Sequence, residues 1–466
     1  MATLSYFLIG PTLITGLIGL MHGPDKTIPT PAEDWHDAVV DVIIPAYNAE
    51  AEIDLCIASL ARQTLKPRHI FVIDDGSKDN TKLFAEDICE RLNLTNVHII
   101  RREKSIGKTP SIEKGAYESD ADVEFVLDSD TILVSENYLE RLVEELYKGV
   151  GIASACGIIY PLKEKDRSKL LADERVGGAL REHFQCYPQA GYYNKNTNLQ
   201  RFARFITNLY RDVMYKFLQK FIYRAEMIFV GTIINPVGCA VAYRRKYVKD
   251  IFVSARETLG SDLTTSEDIY IGFAFANEGY RNIQLLDVEA CTLEPYIQRL
   301  PFQVFLWSSA FLQSVYYFNY LVATPFKAIN KLIYKFRNSK KEKIFESRRK
   351  IKEQYRQSFG VEITKTFGRP IGWFIFTNTL EKILFPSIFL LFIIFGWWEA
   401  FLLTFIFETL ISCILVAMST KGERIKMFFK ALLTSPIRYA LLLYDLVVIF
   451  RFITDLWITH HRAWRK

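Results

Sequence analysis

The sequence predicts an α/β fold, an open, mixed and mostly parallel sheet with helices on both faces, followed by an α-helical membrane region. Three observations predict it. Short apolar runs alternate with stretches of helical period from Val39 to Asp130, acidic residues stand at the ends of those runs, and roughly the last hundred residues turn strongly apolar. Carboxylates at strand ends lie where an open α/β sheet places its ligand-binding groups.

The elements follow in order. A chain of 466 residues predicts two or three units. Residues 2–24 carry no Lys, Arg, Asp or Glu, and roughly 20 apolar residues span a bilayer. A cleaved signal peptide needs a basic start, which is missing here, so residues 1–24 read as an uncleaved transmembrane anchor or an interfacial helix. Residues 25–38 read as a polar linker. From residue 39 the pattern runs VVDVIIPAY as a strand, Ala51–Gln63 as a helix, HIFVIDDG as a strand and Asn80–Leu92 as a helix. NVHIIRR is then a strand, Ser111–Ser119 a helix and VEFVLDSD a strand. Such alternation implies parallel strands joined by right-handed crossovers.

Residues 163–229 break the rhythm. Phe, Tyr, Leu and Ile mix there with Arg and Lys at helical spacing, which fits a helix lying on a membrane surface or a core helix of the domain. The sheet pattern resumes at NPVGCAVAYRR. The domain therefore spans 39–300, with interface helices and a basic linker over 301–370 and membrane helices and tail over 371–466. Ile383–Trp398 and Ala400–Met418 read as a helical hairpin broken near Gly396–Glu399. Ala431–Phe450 is a third apolar stretch, with Pro436, Arg438 and Asp445 inside it. Polar groups at that depth face protein or a water-filled cavity, so Glu408, Arg438 and Asp445 either line a channel or pair between helices. With one N-terminal span, three C-terminal ones leave the basic tail outside, against the positive-inside tendency. Either a segment is re-entrant, bent at Pro436, or Val304–Val322 also spans.

The net charge of +6 is concentrated in Lys327–Arg356. Beside membrane segments that run reads as a cytoplasmic juxtamembrane face or a solvated helical face, and no nucleic-acid partner is expected. Seven cysteines lie singly, without metal or disulfide spacing, as reduced thiols of a cytosolic domain do.

Four stations carry the chemistry. Asp128 and Asp130, two apart on a strand, leave from one face and suit a hard divalent cation holding phosphate oxygens. Asp74 and Asp75 precede Gly76 at a strand-to-helix turn, where Ser77 or Asp79 can cap the next helix. Ser105–Lys108 offers a glycine turn and a cation for a diphosphate. Glu267 and Asp268 open a helix. Thr264 and Glu267 fit a capping box, which makes Glu267 a structural candidate and leaves Asp268 free to act as a general base.

From Val42 to about Gln313 these residues resemble the family-2 glycosyltransferases, especially the membrane-embedded synthases of hyaluronan, chitin and cellulose type. The resemblance implies a GT-A-like fold. It assigns Pro45, Ala46, Tyr47, Asp74, Asp75 and Lys108 to the nucleotide and donor, and Asp128 and Asp130 to the sugar diphosphate and its Mg²⁺ or Mn²⁺. Asp268 becomes the catalytic base with Glu267 beside it. Gly238 and Cys239 of Asn235–Cys239 line the acceptor, with Gln303 and Trp307 from the family's Gln-x-x-Arg-Trp motif. Here the motif arginine is Leu306, and Arg299 or a residue of Lys327–Arg356 is the candidate substitute. Trp307 is a sugar platform or an aromatic packed at the membrane interface.

The implied reaction is inverting transfer from a nucleoside diphosphate sugar, such as a UDP-sugar, to a growing polysaccharide at the cytosolic face of the plasma or inner membrane. Secretion through the protein's own helices would follow. The alternatives are transfer to a lipid acceptor and a silent nucleotide-binding subunit. Membrane lipids and an accessory subunit are the remaining expected partners.

Overall fold

The computed structural model describes residues 10–21, 34–149, 151–188, 197–259, 266–328, 332 and 360–459. Eight strands form one sheet in the order β3-β2-β1-β4-β7-β6-β8-β5. They are β1 (Val40–Ala46), β2 (His69–Asp74), β3 (Val97–Arg101), β4 (Val123–Leu127), β5 (Thr131–Leu133), β6 (Ile152–Pro161), β7 (Ala240–Arg244) and β8 (Arg281–Thr292). β1 to β4 are mutually parallel and β6 runs parallel to β8, while β7 lies antiparallel between β4 and β6. β5 closes the far edge antiparallel to β8.

Continuous apolar runs, buried along almost their whole length in β1 and β4, are what a sheet covered on both faces demands. Pro45 is tolerated in β1 because β4 pairs with β1 only as far as Ile43, so the missing N–H costs no bond of that ladder. The helices Ile53–Ala61, Thr81–Arg91 and Thr109–Glu118 fall where the sequence period puts them.

One placement is corrected. Asp128 and Asp130 are not on a strand. β4 ends at Leu127, and the chain turns at once, with the Thr131 N–H donating to the Asp128 carbonyl over 2.9 Å. The turn is forced because the next three residues pair with β8 rather than extend β4.

The insertion forms two short helices, Glu164–Ala172 and Gly177–Cys186, then a helix over Asn198–Phe217 that continues through a π-turn into Arg224–Val230. The long helix packs on β6 and on the C-terminal helices, leaving Leu199, Phe202 and Phe205 exposed near its start. It buries Arg204, Arg211, Asp212 and Lys216 along its length. Arg211 is wholly buried, with Nε 3.2 Å from Glu294 Oε2 just past β8.

At the N-terminus Pro11–Met21 is helical and packs against the end of the insertion, where Gly19 faces the Ala225 backbone. The rest of 1–24, most of the 25–38 linker and nearly all of the basic run Lys327–Arg356 lie outside the described residues. The expected hairpin is present as Ile371–Ile394 and Trp398–Ser419, both long and apolar enough to cross a membrane. Gly396 turns the chain between them at φ +66. The first helix starts at Ile371 because the residues before Ile383 extend its apolar period.

The last helix, Arg424–Trp457, runs unbroken through Pro436, so the chain does not turn back there. Val304–Val322 is divided between Leu300–Tyr317 and the short Asn319–Val322, and the former packs against the last helix. Glu408 pairs with Arg438 and Tyr439, and Lys382 Nζ sits 2.8 Å from Asp445 Oδ2 while the Ser308 hydroxyl donates to Asp445 Oδ1. The charges of the C-terminal helices are joined helix to helix.

Removing one partner of a fully buried pair leaves the other charge uncompensated. Arg211→Met should therefore lower stability by about 3–5 kcal/mol, and Arg211→Met combined with Glu294→Gln should recover most of that loss. Melting of the detergent-solubilised variants, followed by tryptophan fluorescence, measures both.

Candidate active site

The site is assembled at the C-terminal ends of β1, β2 and β4. Pro45 and Ala46 end β1 and Tyr47 follows, half exposed at the mouth. Next to it the Asn48 N–H donates to Ser77 Oγ, and the Asp75 N–H donates to the Ala46 carbonyl over 2.8 Å. β1 and the turn after β2 are thus laced together.

Asp74 and Asp75 do different work. Asp74 is buried and accepts the Ser77 N–H over 2.8 Å. Asp75 accepts four donors: Arg102 Nη1 at 2.9 Å, Ser105 Oγ at 2.7 Å, and the Ile106 and Gly107 N–H groups at 3.1 and 2.8 Å. Burial raises its pKa, but these donors outweigh it and hold the carboxyl below the usual range. Gly76 has φ +76, and a Cβ there would come within 3.2 Å of the Ser105 nitrogen, so only glycine lets the two loops approach. Neither Ser77 nor Asp79 caps the next helix in the expected way. Ser77 serves Asn48, and Asp79 accepts from the Thr81 N–H at the first helical turn.

The loop held by Asp75 delivers Lys108. Its Nζ lies 2.7 Å from Asp128 Oδ1, 2.8 Å from Glu267 Oε1 and 3.0 Å from the Gly238 carbonyl. Burial opposes the ammonium charge, yet Asp128, Glu267 and Asp268 keep its pKa well above the ordinary lysine value. The loop Asn235–Cys239 closes the ring. The Gly238 N–H donates to Asp268 Oδ2 over 3.1 Å, and the Asp128 N–H donates to the Cys239 carbonyl over 2.8 Å. A Cβ on Gly238 would lie 2.6 Å from Asp268 Oδ2, so the loop can meet that carboxylate only as glycine.

Thr264 lies outside the described residues, and the Glu267 carboxylate faces Lys108, which gives Glu267 a place in the site. Asp268 is pushed up to about 7, first by burial and then by Glu267, with Lys108 and the Ile269 and Gly238 N–H groups opposing. Asp130, which accepts from Thr292 Oγ1 at 3.3 Å, is likewise pushed up to about 7 by burial, Asp128 and Glu294. Carboxyls crowded until they resist ionisation suit a divalent cation that would restore their charge. Among the described residues no three His, Cys, Asp or Glu side chains form a complete cage. A cation here would take Asp128 and Asp130 and complete its shell with other oxygens.

Gln303 and Trp307 meet a residue the sequence did not single out. The Arg211 guanidinium donates to Gln303 Oε1 and lies 4.6 Å from the centre of the Trp307 ring. Leu306 stands in the motif between them, while Arg299, the expected substitute, is exposed. The guanidinium beside the altered motif comes from the insertion helix. The usable signal was a run of charged residues inside an aromatic helix, but nothing in the chain order links residue 211 to 303.

Comparison with known proteins bears on the fold and the family of the domain. The model of the family described as glycosyl transferase family 2 matches residues 41–252. An uncharacterised glycosyltransferase of Haemophilus influenzae is 27% identical over 214 residues, 45% of this chain and 64% of its own length. The hyaluronan synthase of Streptococcus pyogenes is 33% identical over 129 residues, 26% of this chain and 30% of its own. An O-antigen chain rhamnosyltransferase of Salmonella typhimurium is 32% identical over 125 residues, 27% of this chain and 38% of its own. The chain thus spans less than two thirds of each of these relatives. A mannosyltransferase of Pyrobaculum calidifontis, solved with GDP-Man and Mn²⁺, shares the fold at TM-score 0.51 and 12% identity over 98% of this chain and 97% of its own. Residues 41–252 thus match a family-2 glycosyltransferase domain.

Proposed function

We propose that the protein transfers a sugar from a nucleoside diphosphate sugar to an acceptor hydroxyl held at a membrane face. The observation that carries this reading is the convergence on Lys108 of Asp128, Glu267 and the loop that contacts Asp268. A base for the acceptor proton and a cation for the departing diphosphate then stand in one cleft.

Asp268, ionised, accepts the proton of the acceptor hydroxyl as its oxygen bonds to the anomeric carbon. The bond from that carbon to the diphosphate oxygen breaks, and the nucleoside diphosphate leaves with the electron pair. A single in-line displacement inverts the anomeric configuration. Lys108 lies where it can meet the leaving negative charge, and Gly238 holds Asp268 by its N–H. Asp128 and Asp130 would hold Mg²⁺ or Mn²⁺, which when bound offsets the diphosphate charge. The Mn²⁺ and GDP-Man bound by the Pyrobaculum mannosyltransferase support that role.

Two acceptors remain in view. A lipid acceptor is favoured by the pairing of Glu408 with Arg438 and of Asp445 with Lys382, because charges joined across helices do not line an open polar conduit. A polysaccharide acceptor, exported through the helices, is supported by Gln303 and Trp307 and by similarity to the hyaluronan synthase. The two apolar helices support membrane attachment, and the catalytic domain is proposed to face the cytosol. Protein in lipid nanodiscs, supplied with Mn²⁺ and a panel of radiolabelled nucleotide sugars, separates the readings. A small solvent-extractable product means a lipid acceptor, a high-molecular-weight ladder means a polysaccharide, and no transfer from any donor defeats the proposal.

Asp268→Asn should leave nucleotide-sugar affinity near that of the wild type and cut transfer by about 10²–10⁴-fold, as equilibrium binding and product counting would reveal. The base must be ionised, and its raised pKa means it takes up a proton as the pH falls through about 7. Transfer should therefore drop on the acid side of that value. Lys108→Gln removes a charge that favours ionisation and should move this acid limb to higher pH. Chelation should abolish transfer, and added Mn²⁺ or Mg²⁺ should restore it.

A further inference from the structure

Away from the catalytic cleft, the insertion helix meets the last helix through an unusual concentration of positive charge. The Asp212 carboxylate is buried and is approached by three ammonium groups, Lys430, Lys216 at 3.2 Å and Lys163 at 3.8 Å. Lys216 also lies 2.9 Å from Glu423, whose other oxygen pairs with Lys426. Lys220 sits over the Tyr160 ring at 5.5 Å, beside Lys216 over the same ring at 5.7 Å. Four of these lysines pair with the two carboxylates Asp212 and Glu423, and Lys220 stands beside them with Glu289 also near it. Burial and then the neighbouring lysines hold Lys220 below the ordinary lysine value, and burial does the same to Lys163 although Asp212 opposes it.

An apolar cavity adjoins this cluster. Val213, Phe217 and Ala431 line it, each directly following a charged residue of the cluster, together with Val416 and Cys413, while Thr409, Ser412, Thr434, Ser435 and Arg438 bring polar groups to its far side. Lys216 Nζ also lies 3.5 Å from Met427 Sδ, which packs with those same wall residues. The cluster stands at the polar end of Trp398–Ser419, the second helix able to cross a membrane, where the chain turns before Arg424. That is the depth of lipid headgroups, and basic pockets between membrane helices bind their phosphates.

We propose that Lys163, Lys216, Lys220 and Lys430 bind the phosphate of a membrane lipid whose hydrocarbon chain enters the cavity beside Phe217 and Ala431. An ammonium treats phosphate as a compact charge with several acceptor oxygens, so several lysines can share one group. A carboxylate already surrounded at Asp212 keeps the lysines gathered without cancelling them. The site is independent of the transfer reaction proposed above.

The test uses the full chain, delipidated in detergent and titrated with three probes: a short-chain phosphatidic acid, the diacylglycerol with the same chains, and inorganic phosphate. Native mass spectrometry and thermal shift report binding. Phosphatidic acid should bind more tightly than either of the others, and Lys163→Gln with Lys430→Gln should weaken it by about tenfold or more. Lys163→Gln alone, at an accessible position, should weaken it by a smaller factor with the melting temperature of the lipid-free protein unchanged, which separates lost binding from lost folding. Cys413→Trp, filling the cavity, should weaken phosphatidic acid and spare inorganic phosphate. Equal binding of diacylglycerol and phosphatidic acid overturns the phosphate assignment. Equal binding of inorganic phosphate and phosphatidic acid overturns the lipid assignment, and wild-type affinity in the double variant overturns the lysines.

Discussion

The Lys108 ammonium ties the turn after β4, close by in the chain, to two segments more than a hundred residues further on. It touches Asp128 after β4, the Gly238 carbonyl before β7 and Glu267 at the head of its helix. Asp128 and Glu267 stand close together beside Asp268, and the ammonium between them offsets the repulsion of their charges. The lysine resolves that conflict only because Asp75 fixes the loop that carries it, through Ser105 and the Ile106 and Gly107 N–H groups. The cleft is therefore a chain of electrostatic dependence running from the second strand to the helix at Glu267. The same ammonium, set among groups suited to a donor's phosphates, serves both the resting architecture and the proposed chemistry.

A second layer of buried charge joins the domain to the C-terminal helices. Arg211 and Asp212 are neighbours on the insertion helix and point to different partners. Arg211 turns to Glu294, Gln303 and Trp307, and Asp212 turns to lysines of its own helix and the last helix. Successive residues on a helix face directions about 100° apart, so one helix addresses Gln303 and Trp307 with one side chain and the lysines near the last helix with the next. This arrangement makes sense of Leu306. With a guanidinium already beside Gln303 and Trp307, an arginine at 306 would add a second cation to the same helix face.

The membrane-side helices follow the same rule. Polar groups placed in apolar surroundings require partners, and Glu408, Arg438, Lys382 and Asp445 find them in each other. The long final helix absorbs Pro436 without breaking, supported by packing against Trp398–Ser419 and Leu300–Tyr317.

The sequence alone determined the strand-helix alternation through β4, the hairpin around Gly396 and the identity of the acidic stations, because periodicity, turn chemistry and charge are local properties. It also carried the resemblance to the family, which rests on short motifs in fixed order. It misplaced Asp128 and Asp130 on a strand, since where β4 stops depends on the later pairing of β5 with β8. It did not find Arg211 at the Gln303–Trp307 motif, nor the lysines around Asp212, nor Glu267 on Lys108. Each of these is a meeting of side chains from distant segments, and only tertiary packing decides which buried charge answers which.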